Sequence, residues 1–169
     1  VTLEAGSAPT TVRVGGDPTN HTIRNIENIS GSGVNDTITG NSSNNTILGG
    51  AGDDTIDGGG GADYLDGGTH TNGDTVSFAS VVGVNGISVN IGSSNVTIDS
   101  TTYNANRAIR DGQTSTVVNF ENIQGSKNAD ILIGSDESNI IKAGDGNDTI
   151  YGGKGSNFLS GEAGADTFI

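Results

Sequence analysis

A nine-residue period restricts the fold of this sequence more than any other feature. Five consecutive units begin at residue 31 with GSGVNDTIT and end with the longer unit GGTHTNGDTVS, and five more begin at residue 125 with GSKNADILI. When each unit is numbered from one to nine, position eight is always apolar. The eighth positions are Ile38, Ile47, Ile56, Leu65 and Val76 in the first block and Leu132, Ile141, Ile150, Leu159 and Phe168 in the second. We therefore expect a structure that repeats with the units and buries this position.

The density of apolar residues indicates strands rather than helices. One large apolar side chain in nine is too few for an amphipathic helix, which needs about three in seven. It suits a short strand with one inward side chain, and the remaining residues then turn the chain. Two such units make one flattened coil, and coils can stack about 4.8 Å apart through parallel backbone hydrogen bonds. The sequence therefore predicts an all-β fold, a parallel β-roll or β-solenoid, with two files of Ile, Leu and Val in its core.

A longer repeat divides the chain into segments. The lead-in IENI at residues 26–29 precedes the first block, and FENI at residues 120–123 precedes the second at the same offset that relates Gly31 to Gly125. We predict four segments: the end of a preceding spacer or cap (1–25), a first β-roll (26–78), a β-rich spacer (79–119) and a second β-roll (120–169). The chain is then a tandem array cut from a longer protein.

The stretch from about residue 69 to residue 119 lacks the nine-residue period but still has strand-like segments. Three stretches rich in β-branched residues are bounded by Gly or Asn-Gly and therefore predict strands: residues 74–78, 86–91 and 95–98. Residues 103–110 predict a loop or a helical turn.

The charge of the chain excludes several classes of partner. The formal net charge is −13, with 29 Gly and only 31% hydrophobic residues, so the chain repels itself and has little material for an ordinary core. Nucleic acids and anionic membrane surfaces need Lys and Arg, so neither is an expected partner. The absence of Cys excludes a disulfide framework and a thiolate zinc site, and no apolar run approaches the ~20 residues of a membrane-inserted helix. A metal cation fits this composition better.

The turn residues indicate which cation. Glycine at positions one, two and four permits the left-handed backbone of tight turns, and such turns point carbonyl oxygens inward. Aspartate at position six adds a carboxylate. Ligation by oxygen alone suits calcium rather than zinc or copper. Lys127 and Lys154 at position three are compatible with this chemistry if position three contributes only its backbone and its side chain faces outward.

The units GGAGDDTID and AGDGNDTIY resemble the glycine-rich calcium-binding nonapeptide of repeats-in-toxin (RTX) proteins. The resemblance implies a right-handed roll in which calcium lies between unit n and unit n+2, with about six Ca²⁺ ions bound. The implied pairs are Asp36/Asp54, Asn45/Asp63, Asp54/Asp74, Asp130/Asp148, Asn139/Asn157 and Asp148/Asp166. Asn45, Asn139 and Asn157 depart from the pattern because they replace the carboxylate.

The candidate metal ligands are the position-six side chains and the residues of the glycine-rich turns. They are Asp36, Gly49, Gly50, Ala51, Gly52, Asp54, Gly58, Gly59, Gly60, Gly61, Asp63, Asp74, Asp130, Gly144, Asp145, Gly146, Asp148, Gly152, Gly153, Gly155, Asn157, Gly161, Gly164 and Asp166.

The resemblance also implies a function outside the cell. We expect a non-enzymatic calcium-binding structural module that folds on extracellular calcium, within a type I-secreted adhesin or surface-layer protein at the bacterial surface. Its expected partners are calcium, neighbouring modules of the same protein and a cell-surface glycan or protein. One alternative is the export-associated C-terminal region of a secreted toxin, hydrolase or epimerase; another is an ice-binding or glycan-binding β-solenoid with an outward threonine array. Adjacent Asp53 and Asp54 leave open an acid/base pair.

Overall fold

A computed structural model of the chain describes residues 27–81, 83 and 85–169 in full, together with the backbone of three earlier strands. Most of the predicted cap, residues 1–25, lies outside the described residues. The described part is all-β, without a helix, and none of it forms a helix long and apolar enough to cross a membrane. The strands are β1 Thr2–Glu4, β2 Thr11–Arg13, β3 Thr22–Arg24, β4 Asn28–Ser30, β5 Thr37–Thr39, β6 Thr46–Ala51, β7 Thr55–Asp57, β8 Tyr64–Thr69, β9 Thr75–Ser77, β10 Ser88–Asn90, β11 Val96–Ile98, β12 Thr101–Tyr103, β13 Arg107–Arg110, β14 Gln113–Val118, β15 Asn122–Gln124, β16 Ile131–Ile133, β17 Ile140–Lys142, β18 Thr149–Tyr151, β19 Phe158–Ser160 and β20 Thr167–Phe168.

Successive units contribute strands alternately to two sheets. The first sheet has the order β19-β17-β15-β9-β7-β5-β1-β3, and the second has the order β2-β4-β6-β8-β14-β13-β10-β16-β18-β20. Within a block each strand pairs in parallel with the strand two units later, so Ile38 lies beside Ile56 and Ile47 beside Leu65. This register confirms the predicted parallel β-solenoid and the pairing of unit n with unit n+2.

The spacer separates the two blocks in only one of the two sheets. In the first sheet β9, the last strand of the first block, pairs in parallel with β15 from the second lead-in. In the second sheet β14, β13 and β10 stand between β8 and β16, and β13 pairs antiparallel with both of its neighbours. The two blocks and the spacer strands therefore form one continuous stack.

The strands predicted within residues 74–98 are confirmed as β9, β10 and β11. The helical turn considered for residues 103–110 is wrong, because this stretch contains the end of β12 and all of β13. The sequence carried a signal for the correct structure: Asp111-Gly112 joins β13 to β14, and both residues have positive φ (48° and 76°), as in a type I′ hairpin turn. β14, for which the sequence analysis made no prediction, is the second strand of this hairpin.

The position-eight side chains form the core, as the period predicts. Eight of the ten belong to the buried cluster, and Leu159 packs against it partly buried. The exception is Phe168, which is 52% exposed. Among the described residues no strand lies beyond β20 in the second sheet, so nothing covers this side chain.

Candidate metal centre

The residues at position six stack into two files, one beside each sheet. In every predicted pair, the backbone N–H of the earlier residue donates to a side-chain oxygen of the later one. The six N···O distances are Asp36/Asp54 2.8 Å, Asn45/Asp63 2.9 Å, Asp54/Asp74 2.7 Å, Asp130/Asp148 2.8 Å, Asn139/Asn157 2.9 Å and Asp148/Asp166 3.1 Å. The structure thus brings together all the pairs that the repeat register implied.

Three of these carboxylates keep one oxygen without a hydrogen-bond partner. The Oδ2 atoms of Asp54, Asp74 and Asp148 are buried and unpartnered, and each side chain is at most 1% exposed. An ionised carboxylate in that position is costly unless a cation or a donor compensates it. Burial accordingly raises the pKa of all three groups, and that of Asp148 to about 6.

Other turns supply their own donors to the side chain at position six. The backbone N–H and the hydroxyl of Ser32 donate to Asp36 Oδ2 at 2.7 and 2.9 Å, and Ser126 N–H donates to Asp130 Oδ2 at 2.6 Å. Asn41 and Ser135 cap Asn45 and Asn139 in the same way, at 2.9 and 2.8 Å. These four turns all have Ser or Asn at position two.

The three turns with unpartnered oxygens have glycine at position two instead. Gly50, Gly68 and Gly144 have φ of 111°, 103° and 108°, a left-handed backbone that favours glycine. Their N–H groups do not reach the Oδ2 atoms of Asp54, Asp74 and Asp148. The residue at position two therefore distinguishes two kinds of turn. With Ser or Asn there, the turn donates a hydrogen bond to its own position-six side chain. In the three turns with Gly50, Gly68 and Gly144, one carboxylate oxygen remains available to another partner.

The glycine at position one has a different role from the one predicted. The left-handed backbone expected there occurs at positions two and four but not at Gly49, whose φ is not positive. A Cβ at Gly49 would instead collide with Asp54 Oδ2 and with the carbonyl oxygen of Gly67 in the next coil. Gly67 has the same surroundings, formed by Asp74 Oδ2 and Asn119 O. Gly49 and Gly67 are therefore glycine because a carboxylate and a main-chain carbonyl converge beside them, whereas Ala143 holds position one in the unit of Asp148.

The remaining predicted site residues lie in or around these turns. The position-four glycines, such as Gly52 and Gly146, have positive φ and pack against the backbone of the previous coil. The side chain of Asp145 is exposed, as are those of Lys127 and Lys154 at the same position, in agreement with the outward orientation predicted for position three.

Two residues that the sequence analysis did not assign to the site extend the files. Glu121 Oε2 accepts the Asp74 N–H at 2.8 Å, so the second lead-in continues the file of the first sheet. Counting back from Ile123 as a position eight would have placed Glu121 at position six. In the second sheet Ser115 Oγ accepts the Asp63 N–H at 2.9 Å, a contact that depends on the docking of the spacer.

The carboxylate of Asp53, the neighbour of Asp54, is fully engaged in hydrogen bonds to the turn of the next coil. Its carboxylate accepts the N–H groups of Thr71 and Asn72 at 2.8 and 2.7 Å and the Asn72 side-chain amide at 2.7 Å. These bonds hold the pKa of Asp53 well below its usual range. A carboxylate in this state is a poor proton acceptor at neutral pH.

The geometry defines a class of protein, and comparison with known families specifies it. A parallel β-roll whose turns bring together carboxylate and carbonyl oxygens, some of them buried without partners, fits a hard oxygen-seeking cation. The sequence model of the RTX calcium-binding nonapeptide repeat matches residues 30–65 and 133–168, with four copies of the repeat. The chain thus carries an RTX repeat region in each block and is a calcium-binding structural module. No match to it was found among curated proteins.

The raised pKa values predict how the metal-free chain responds to pH. Burial raises the pKa of Asp148 from its ordinary 3.8 to about 6, so the folded chain binds this proton more tightly than the unfolded chain does. We expect the free energy of unfolding without metal to be highest below about pH 4 and to fall as the pH rises to about 6. Circular dichroism of resin-stripped protein between pH 7 and pH 4 measures this dependence, as the strand signal that the metal-free chain gains on acidification.

The variant Asp148→Asn serves as the control for this titration. It cannot ionise, so its stability should change less over the same pH range than that of the unaltered chain. Metal-free protein that becomes more stable as the pH rises from 4 to 6, in either form, would contradict this assignment.

Proposed function

We propose that this chain is a folding and spacing module of a secreted bacterial protein of the adhesin or surface-layer type. It stays unfolded in a calcium-poor cytoplasm, passes through a type I secretion channel, and folds on the extracellular side when calcium enters its turns. The observation that carries this proposal is the set of buried, unpartnered carboxylate oxygens at Asp54, Asp74 and Asp148. Their burial is costly without a cation, so metal binding and folding are coupled.

The charge of the chain supports the same coupling. At a formal net charge of −13 the unfolded chain repels itself. About six Ca²⁺ ions, one for each position-six pair, would bring this charge close to zero. The calcium-dependent turns are foremost those with glycine at position two, because the Ser and Asn turns have protein donors.

The continuous stack favours a structural role over the alternatives. Because β9 pairs directly with β15, the second block docks on the first, and the chain is built to extend in one direction. We propose no enzymatic role. The hydrogen bonds from Thr71 and Asn72 to the Asp53 carboxylate support this proposal, because they make that carboxylate a poor proton acceptor. An outward threonine array for ice binding has little support: Thr37, Thr55 and Thr75 are in register, but Asn122 and Ile140 follow them.

An export-associated tail of a secreted enzyme would also carry RTX repeats. Sequence flanking this chain distinguishes the two proposals: further copies of the long repeat favour the adhesin or surface-layer type, and a catalytic domain favours the tail.

Limited proteolysis at buffered free calcium tests the proposed trigger. We expect rapid cleavage at micromolar calcium and protection with a midpoint between about 0.1 and 1 mM, the affinity range of extracellular modules. Mapping the early cuts by mass spectrometry should place them in both blocks, because the chain without calcium is unfolded as a whole. Protection that is already complete at micromolar calcium would contradict the proposal, because the chain would then fold before export.

A further inference from the structure

The junction between the two blocks brings together three side chains of different chemistry. The fifth unit is two residues longer than the others, and His70 lies in this longer turn, four residues before Asp74. His70 Nδ1 lies 3.0 Å from Glu121 Oε2 and 3.9 Å from Asp74 Oδ2. The three ligand atoms all lie within 4.8 Å of one another.

A second observation shows that this cluster has capacity for a ligand. Asp74 is fully buried, its Oδ1 accepts the Asp54 N–H, and its Oδ2 has no hydrogen-bond partner. That unpartnered atom is the one that faces His70. The side chain of His70 is 35% exposed, which leaves a path from solvent to the cluster.

The imidazole changes the metal preference at this place. Calcium prefers oxygen ligands, whereas imidazole nitrogen suits zinc and neighbouring transition ions. In a tetrahedral site with bonds near 2.0–2.1 Å, donor atoms lie about 3.3 Å apart. The distances of 3.0 and 3.9 Å from His70 Nδ1 lie on either side of that value.

We propose that His70, Asp74 and Glu121 form a binding site for a divalent transition ion of the Zn²⁺ type. Two carboxylates and a neutral imidazole carry a charge of −2, which the ion balances, and three protein ligands leave a position for water. The site lies where β9 meets β15, so the bound ion clamps the first block to the second. The proposal rests on the proposed function in one respect: the ion takes Asp74 Oδ2, the oxygen that calcium would otherwise bind in the turn of Gly68.

A proton is the competing occupant of this site. Protonated His70 would form an ion pair with Glu121 at the same 3.0 Å distance, without any metal. The test must therefore detect the ion itself and not only the effect of the side chains on stability.

The experiment uses the calcium-saturated chain, with Co²⁺ as a spectroscopic probe and Zn²⁺ as competitor. The chain contains two histidines, so His21→Ala is the matched control for His70→Ala. We expect one equivalent of Co²⁺ to give visible absorption in the unaltered chain and in His21→Ala, and Zn²⁺ to displace it. His70→Ala should lose the absorption and bind Zn²⁺ at least tenfold more weakly by calorimetry.

Glu121→Gln is the second variant, and it should also weaken Zn²⁺ binding because it removes a charged ligand. Equal Zn²⁺ binding by His70→Ala and His21→Ala would overturn the proposal, as would an unaltered chain that gives no Co²⁺ absorption. Loss of the Co²⁺ absorption when the calcium concentration is raised about tenfold further would overturn the proposal and show an ordinary calcium turn instead. Calcium titrations of the same variants by circular dichroism measure calcium-driven folding separately. Failure of the proposed function would appear in these titrations, and failure of the zinc proposal would appear only in the Co²⁺ and Zn²⁺ measurements.

Discussion

At neutral pH, removal of calcium should unfold this chain as a whole. Each coil contacts its neighbours through the parallel ladder, and unpartnered carboxylates occur in both blocks, so no block is free of the cost of burying them. We expect the radius of gyration from small-angle X-ray scattering to rise from about 15 Å in calcium to about 43 Å in chelator, the values for a compact and an unfolded chain of this length. The strand signal in circular dichroism should disappear in the same step.

Magnesium is the control for this experiment. It requires a tighter octahedral shell and keeps more of its water, so equal concentrations should not restore the compact form. A chain that stays near the compact radius in chelator, or that magnesium refolds as well as calcium does, would show that the acidic turns do not depend on calcium.

Loss of Asp148 and loss of Asp130 should have different signatures, although both residues stand at position six in neighbouring coils. In Asp148→Ala calcium loses a charged ligand, because Oδ2 has no protein partner, and the Asp130 N–H also loses Oδ1 as its acceptor. We expect the calcium concentration at half-folding to rise about tenfold or more, because ligand charge sets affinity in such sites. In Asp130→Ala the N–H and hydroxyl of Ser126 lose their acceptor. That should cost about 1–3 kcal/mol at every calcium concentration.

Calcium titrations by circular dichroism and urea unfolding at saturating calcium separate these two effects. Asp54→Ala and Asp36→Ala form a second matched pair in the first block, with Asp36 capped by Ser32. If all four variants shifted the calcium midpoint equally, the identity of position two would not determine which turns need the ion.

The features that follow from the repeat could be predicted from the sequence. Stacking repeats one environment at each coil, so the inward direction of Ile56 and the contact between Asp36 and Asp54 follow from the period itself. The division of turns by position two was also present in the sequence. It needed the structure to be recognised, because its effect is the direction of one N–H group.

The contacts of the spacer could not be predicted in this way. Pairing of β14 with β8 joins stretches far apart in sequence that share no period, and it places Ser115 on Asp63. Glu121 was missed for a related reason: the lead-in lacks the glycines that mark a unit, although its spacing from Ile123 fits one.

The two sheets contain different numbers of strands at the junction between the blocks, and this difference affects the direction of the stack. Between β8 and β16 the second sheet holds three strands, whereas between β9 and β17 the first sheet holds only β15. Two additional strands lengthen one side by about 10 Å over a body whose sheets are themselves about 10 Å apart. We expect such a wedge to tilt the layers that follow toward the shorter side. A longer protein that repeated this arrangement would trace an arc, and its two ends would point in different directions.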